Sequence, residues 1–186
     1  MSENPDVEKA ITQKVRRLES WIRRDLPREV GMEAVDHFRE NFEREGFVNG
    51  GLHKWPDVRR RDPSSSWYGF DYKREKRSDH PIKFGKKGKR LKNQRKLNFS
   101  EAATQRKILN SPSHELQDSL RYIPTSGGVN IVSDKPYAAI QNNGGLIKVF
   151  GKKTVTLPAR PFVGDSKELS DKIDRIIDNK INQILR

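Results

Sequence analysis

The chain has 186 residues, of which 32% are hydrophobic, and it carries a formal net charge of +13. This length and apolar content predict one domain with a modest core. The absence of cysteine excludes disulfides and thiolate metal sites, and no apolar run reaches the roughly 18 residues of a membrane span. The polar start of the chain also lacks the apolar run of a secretory signal. We therefore expect a protein that is made and used in a cytoplasm, with no membrane partner.

The positive charge is concentrated in residues 54–107, which hold 18 Lys and Arg against six Asp and Glu. A segment of this kind attracts polyanions in a salt-sensitive way that is indifferent to nucleotide sequence. We therefore predict a single domain, residues 1–186, in which 54–107 is a basic, partly mobile insert. The predicted contacts to nucleic acid or a protein partner are Lys86, Lys87, Lys89, Arg90, Lys92, Arg95 and Lys96. The alternative is a solvated loop whose charge only keeps the chain soluble.

Two amphipathic helices are predicted at the start of the chain. The first has apolar residues at spacings of three and four between Val7 and Leu26. Pro27 interrupts the pattern, and apolar residues then recur every four positions from Val30 to Phe42. Gly46 closes the second run. We therefore predict two consecutive helices with a bend near Pro27.

Hairpins and short helices are predicted after the insert. Helices are expected at 101–109 and around Leu116 and Leu120, followed by a hairpin with strands 121–123 and 129–133 around the turn PTSGG. A short helix, ended by Asn142, Asn143, Gly144 and Gly145, leads to a second hairpin with strands 146–150 and 154–157.

The last predicted element is a helix that begins with a capping box, in which Asp165 is the N-cap residue and Glu168 is its partner three residues later. The order of elements predicts an α+β fold. In this fold the N-terminal and C-terminal helices pack on a small, mainly antiparallel sheet of hairpins, with a long basic loop.

Residues that could support catalysis do not converge in the sequence. The histidines lack a ligand-like spacing such as HExxH, the run GKKGK lacks the Ser or Thr of a phosphate-binding loop, and the acids of the insert are dispersed. We predict no enzymatic activity, no metal and no cofactor. The aromatic residues of SSSWYGFDYKREK have two interpretations, stacking on nucleic-acid bases or packing against protein, and packing is favoured.

Several segments together resemble the phage virion morphogenesis family, which includes Mu-like tail-completion and head–tail joining proteins. They are NFEREGF, GLHKWPD, PYAAIQNNGG and LPARPFVGDS, the last ahead of a terminal helix, and the resemblance covers residues 27–186. It implies a structural protein that acts in the tail or neck as a ring of identical copies. It also implies phage tail or neck proteins as partners, assembly in the host cytoplasm, a place in the virion and no catalytic residues.

Within the resembling segments, prolines fix φ, glycines permit tight turns, and aromatic side chains can wedge between a helix and a sheet. Arg160 is either an interface residue or part of an internal salt bridge. The residues predicted to form a subunit interface or to set the shape of the fold are Trp55, Tyr137, Gly144, Gly145, Arg160 and Phe162. The alternative function is a sequence-independent nucleic-acid-binding protein that uses the basic segment 54–107.

Overall fold

The computed structural model describes residues 5–70, 86–87, 100–111, 113–149, 151 and 153–186. Its helices are α1 (Pro5–Arg24), α2 (Leu26–Arg44), α3 (Glu101–Gln105), α4 (Glu115–Asp118), α5 (Ala138–Asn143) and α6 (Lys167–Leu185). Its strands are β1 (Gly46–Val48), β2 (Leu52–Lys54), β3 (Arg121–Thr125), β4 (Gly128–Val132), β5 (Gly145–Val149) and β6 (Lys153–Leu157).

The predicted α+β fold is confirmed, with every described strand pair antiparallel. The described strands form three separate two-stranded sheets, β1–β2, β3–β4 and β5–β6, where one small sheet was predicted. Each strand pairs with its neighbour in sequence because a short turn closes each hairpin locally. The helices α4 and α5 then separate the hairpins along the chain.

The chain divides into two compact units. The larger unit comprises Met1–Pro56 and Leu109–Arg186, and the smaller unit comprises Asp57–Ile108. The bounds of the smaller unit lie close to those of the predicted basic insert. The single-domain organisation of residues 1–186 stays a prediction.

The two N-terminal helices are separated by one residue, Asp25, close to the predicted bend. Pro27 lies in the first turn of α2, where its missing N–H has no partner to lose. The helix ends at Arg44 because Glu45 adopts a left-handed conformation, with φ of 51°. Gly46, predicted to close the helix, instead begins β1.

Helix α2 organises the core of the larger unit. Its buried residues are Gly31, Ala34, Val35, His37, Phe38, Asn41 and Phe42. The β3–β4 hairpin packs on this helix, and the ring of Tyr122 covers Gly31, where a Cβ would lie 2.4 Å from the ring carbons. Arg39 strengthens this packing by donating to the carbonyl of Leu120 at 3.2 Å.

Three local features differ from the sequence predictions. The hairpin β1–β2 was not predicted, because its strands have only three residues each and show no clear alternation. Helix α3 ends at Gln105 and not at 109, because Arg106 is extended and guanidinium groups bind its carbonyl. Ser166, and not Asp165, caps α6, since its hydroxyl accepts from the N–H of Leu169.

Candidate functional site

A short extended segment between β6 and α6 is held in place by side chains from distant parts of the larger unit. This segment, residues 158–163, is called the proline junction because it contains Pro158 and Pro161. The Oδ1 atom of Asn142 accepts from the main-chain N–H groups of Phe162 and Val163 at 2.8 and 3.0 Å. A single amide side chain therefore fixes two successive peptide groups of the junction.

Asn41 of α2, which is distant in sequence, also holds the proline junction. Its Nδ2 donates to the carbonyl of Phe162 at 3.0 Å, and its Oδ1 accepts from the N–H of Val48 at 3.2 Å. The side chain is fully buried, so both of its polar atoms need such partners. Asn41 thereby links α2, β1 and the proline junction.

Aromatic residues pack beneath these hydrogen bonds. Phe42 lies between Trp55 and Phe162, with ring centroids 5.7 and 5.1 Å away, and all three side chains are buried. The indole N–H of Trp55 donates to the carbonyl of Pro161 at 2.6 Å. Each aromatic pair contributes about 0.5–1.5 kcal/mol beyond the area that it buries.

Arg160 is buried inside the larger unit and is not part of its exposed surface. Its N–H donates to the carbonyl of Gln141 at 2.9 Å, and its Nε donates to the carbonyl of Pro56 at 3.0 Å. The guanidinium group therefore connects the proline junction with the segment that follows β2.

The two glycines between α5 and β5 both have positive φ, 70° for Gly144 and 133° for Gly145. A Cβ on Gly144 would lie 2.6 Å from the main-chain nitrogen of Ala159, so α5 approaches the proline junction too closely for a side chain.

Tyr137 precedes α5 and is 38% exposed, whereas Phe162 is buried. Of the predicted interface or shape-setting residues, five therefore lie at or beside the junction, and Tyr137 lies at the surface.

A second polar cluster fixes the start of α6 to α2. The Nε2 atom of His37 and the hydroxyl of Ser166 lie 2.9 Å apart, and both residues are buried. Burial lowers the pKa of His37, and the nearby charge of Lys172 lowers it further. A hydroxyl beside a neutral imidazole resembles a nucleophile with its base, but this hydroxyl already caps α6. We therefore assign the pair to holding the two helices together.

Glu168 joins the same helix start to the β1–β2 turn. Its carboxylate accepts from the N–H groups of Gly50 and Gly51, each at 3.0 Å. The pKa of Glu168 is lowered, first by a hydrogen bond from its own main-chain N–H and then by those of Gly50 and Gly51. Asn49 completes the link, since its Oδ1 accepts from the N–H of Lys167 at 3.1 Å.

The β5–β6 hairpin emerges directly from the glycines that follow α5. Leu146 is 72% exposed, and its cross-strand partner is Thr156. On the other face, Ile147 pairs with Val155, and both are only half-buried. None of the other described helices and strands makes a substantial contact with β5 or β6. The described part of the larger unit therefore leaves Leu146 largely uncovered and covers Ile147 and Val155 only in part.

The predicted basic contact residues lie mostly outside the described residues. Lys86 and Lys87 form an exposed turn, whereas Lys89, Arg90, Lys92, Arg95 and Lys96 are outside the described ranges. Two other basic residues of the smaller unit act internally. Arg60 donates to the carbonyls of Ala103 and Lys107, and Arg61 to that of Arg106, which stabilises the end of α3.

Sequence reasoning missed Asn41, Asn142 and Glu168 as organising residues. Asn41 gave one signal, because it is an amide within the apolar face of a predicted helix. Asn142 was interpreted only as a helix terminator, and its partners lie 20 and 21 residues away. Glu168 was expected to bond within its own helix, and its glycine partners are 117 and 118 residues away.

In the described part of the chain, no cluster of three or more His, Asp or Glu residues is arranged to hold a metal ion. None of the helices in the described ranges is long and apolar enough to cross a membrane.

Comparison with known proteins links this architecture to one family. Residues 85–182 match the model of the phage virion morphogenesis family. The matched region contains the proline junction, the β5–β6 hairpin and most of α6. Searches of curated proteins and of solved structures gave no significant match. Because the family model covers more than half of the chain, the protein belongs to the phage virion morphogenesis family and acts in building the phage particle.

Proposed function

We propose that the protein is a non-catalytic structural component that completes the phage tail or joins the tail to the head, through contacts between copies arranged in a ring. It is made in the host cytoplasm and remains at the tail or neck, where phage tail or neck proteins are its partners. The observation that carries the proposal is the exposed β5–β6 hairpin, which begins beside the proline junction, a segment held in place by hydrogen bonds.

The hairpin has the physical properties of an element that is completed by a neighbour. A two-stranded hairpin alone is marginally stable in water, and packing against another element stabilises it. Leu146 leaves most of its surface exposed, and covering such a side chain yields about 1–2 kcal/mol. Each two-stranded sheet also has outer edges at which another chain can add a strand. A neighbouring copy that covers Leu146 therefore stabilises the hairpin.

A ring requires that each copy uses two different surfaces, one to donate and one to receive. The β5–β6 hairpin is one of these two surfaces in our proposal, the one that each copy donates to its neighbour. Its described charged residues, Lys148 and Lys153, are both basic and exposed. The receiving surface of the next copy is therefore expected to be acidic or neutral, which opposes pairing of two hairpins with each other.

The proposal is tested with Leu146→Lys and with Ile123→Lys as the matched control. Ile123 is also an exposed strand residue, 47% accessible, but its hairpin packs on α2. Each variant is supplied from a plasmid to a phage genome that lacks this gene. We expect Leu146→Lys to fold, as judged by circular dichroism, and to yield unjoined heads and tails by electron microscopy. Particle yields equal to those of Ile123→Lys and of the unaltered protein would refute the proposal.

A second candidate function is sequence-independent binding of nucleic acid by the basic segment 54–107. The observation in its favour is the exposed turn of Lys86 and Lys87, within a segment of strong positive charge. Binding of this kind weakens linearly on a plot of log affinity against log salt.

The double variant Lys86→Gln with Lys87→Gln tests this second function. It should reduce the salt slope on duplex DNA by about 2, one unit per lost phosphate contact. The control pair, Lys148→Gln with Lys153→Gln, removes two exposed lysines from the larger unit and should leave the slope unchanged. Negligible binding of the unaltered protein at physiological salt would exclude the function.

A further inference from the structure

Helix α1 carries an apolar stripe that the described part of the larger unit leaves open. Val7, Ile11, Val15 and Ile22 are between 47% and 57% exposed, although branched apolar residues of a packed helix are normally covered. With the half-buried Leu18, they follow one another at spacings of four, four, three and four residues. They therefore form a single stripe along one face of the helix.

The open stripe is distinct from the face by which α1 packs on its own unit. That second face carries Trp21, which is buried and donates to the carboxylate of Glu29 in α2 at 3.3 Å. Lys14 is also on this side, since its Nζ donates to the carbonyl of Leu185 in α6. Intramolecular packing therefore uses a neighbouring face and leaves the stripe accessible to a partner.

We infer that the stripe pairs with the same stripe of a second copy, as a parallel two-stranded coiled coil about a two-fold axis. The spacing from Ile11 to Ile22 is that of a heptad repeat, with Val15 and Ile22 at a positions and Ile11 and Leu18 at d positions. β-branched residues at both a positions, with Leu18 at the d position between them, favour two parallel strands. This surface is called the α1 seam, residues 11, 15, 18 and 22.

The charges that flank the seam identify a second copy in parallel orientation as its occupant. In this register Lys14 is a g position and Glu19 is the e position five residues later. A parallel pair places Lys14 of each copy beside Glu19 of the other, which gives two opposite-charge contacts by symmetry. An antiparallel pair would place Lys14 opposite Trp21 and bring no opposite charges together. The three N–H donors of Lys14 allow it to keep its bond to Leu185 in the pair.

The α1 seam does not rest on the proposed ring. Ring contacts use two different surfaces, whereas a two-fold contact uses one surface twice. The seam also lies on α1, away from the β5–β6 hairpin in sequence. Leu146→Lys is therefore expected to leave pairing through α1 intact, so the two proposals can fail separately.

The extent of pairing is measured by analytical ultracentrifugation of the full chain, between about 1 µM and 1 mM. Since the seam covers only two heptads, we expect a reversible shift from monomer to dimer within this range. Val15→Lys places a charge at the central a position and should hold the chain as a monomer. The control Gln13→Lys adds the same charge at an exposed site on another face of α1 and should pair like the unaltered protein.

Orientation is tested by cross-linking, which is simple because the chain contains no cysteine. Ile11→Cys should form a disulfide between two copies on mild oxidation, because a parallel pair brings this d position beside itself. Gln13→Cys should remain unlinked. If Val15→Lys fails to fold, Glu19→Lys serves instead, since it replaces attraction to Lys14 by repulsion. The inference would be overturned if the protein were monomeric over the whole concentration range or if Val15→Lys paired as well as the unaltered protein. It would also be overturned if the protein dimerised but Ile11→Cys formed no disulfide between copies.

Discussion

Replacement of Gly144 by alanine measures how tightly α5 is fitted against the proline junction. Gly144 has φ of 70° and ψ of −172°, a region of backbone space that is used almost only by glycine. The added Cβ would lie 2.6 Å from the nitrogen of Ala159 and 2.9 Å from the carbonyl oxygen of Leu157. Both neighbours are main-chain atoms, so they cannot move aside by rotating a side chain.

Two effects add to the cost of this substitution. Backbone strain accounts for about 1–3 kcal/mol. Relief of the close contact must move the main chain around Ala159, which stretches the hydrogen bond from the N–H of Arg160 to the carbonyl of Gln141 and costs about 1 kcal/mol more. We expect the free energy of unfolding to fall by about 2–4 kcal/mol, a large part of the 5–15 kcal/mol typical of a natural domain.

Alanine substitutions at two other glycines distinguish the cost of backbone strain from the cost of the close contact. Gly151 also has positive φ, 67°, but a Cβ there would meet nothing within 4 Å. Its replacement by alanine should cost about 1 kcal/mol or less, because the reduced freedom of the unfolded chain offsets part of the strain. Gly127 has neither feature, so its replacement should leave stability nearly unchanged. Urea denaturation followed by circular dichroism measures all three, and equal losses for Gly144→Ala and Gly151→Ala would refute the reasoning.

Three further substitutions test the polar contacts of the larger unit. Trp55→Phe keeps most of the ring but removes the donor to Pro161, so urea denaturation should show a loss of about 1–2 kcal/mol, and no loss would mean that the bond is not stabilising. Asn142→Ala removes the acceptor of two N–H groups and should cost about 2–4 kcal/mol, clearly more than Asn143→Ala at an exposed neighbour. Because the pKa of His37 is lowered, the unfolded chain gains a proton before the folded chain does, so stability should fall as the pH drops below about 6.5. His37→Gln should flatten this part of a plot of melting temperature against pH, and an unchanged slope would show that another group is responsible.

Local signals in the sequence accounted for most of the elements. Periodic apolar residues identified α1 and α2, cap residues indicated α6, and turn residues such as PTSGG identified the hairpins that begin at Arg121 and Gly145. Helix ends were less accurate, because they depend on bonds to other segments. Arg60 and Arg61 bind the carbonyl of Arg106, and no spacing within 101–109 contains that information.

The resemblance to the family marked part of the candidate site, but it did not give the arrangement of those residues. The resembling segments GLHKWPD and LPARPFVGDS marked Trp55 and Phe162, which the structure brings to the same aromatic cluster through Phe42. The bond between Trp55 and Pro161 joins residues 106 positions apart. Pairings of this kind follow from the whole fold, since periodicity within one element reports only which face is buried.

The rigid proline junction and the exposed hairpin are adjacent in the chain, and this gives two kinds of defect that can be told apart. Gly145 directly precedes Leu146, so a displacement of Gly144 changes the direction in which the hairpin leaves α5. If the proposed function holds, Gly144→Ala should impair particle joining even at temperatures where the variant remains folded, because the proposed contact surface is present but displaced. Leu146→Lys should impair joining with no loss of stability, because its side chain has little internal packing to lose. If Gly144→Ala joined particles normally while folded, the base of the hairpin would not need to be rigid, and the proposed link between the proline junction and assembly would be wrong.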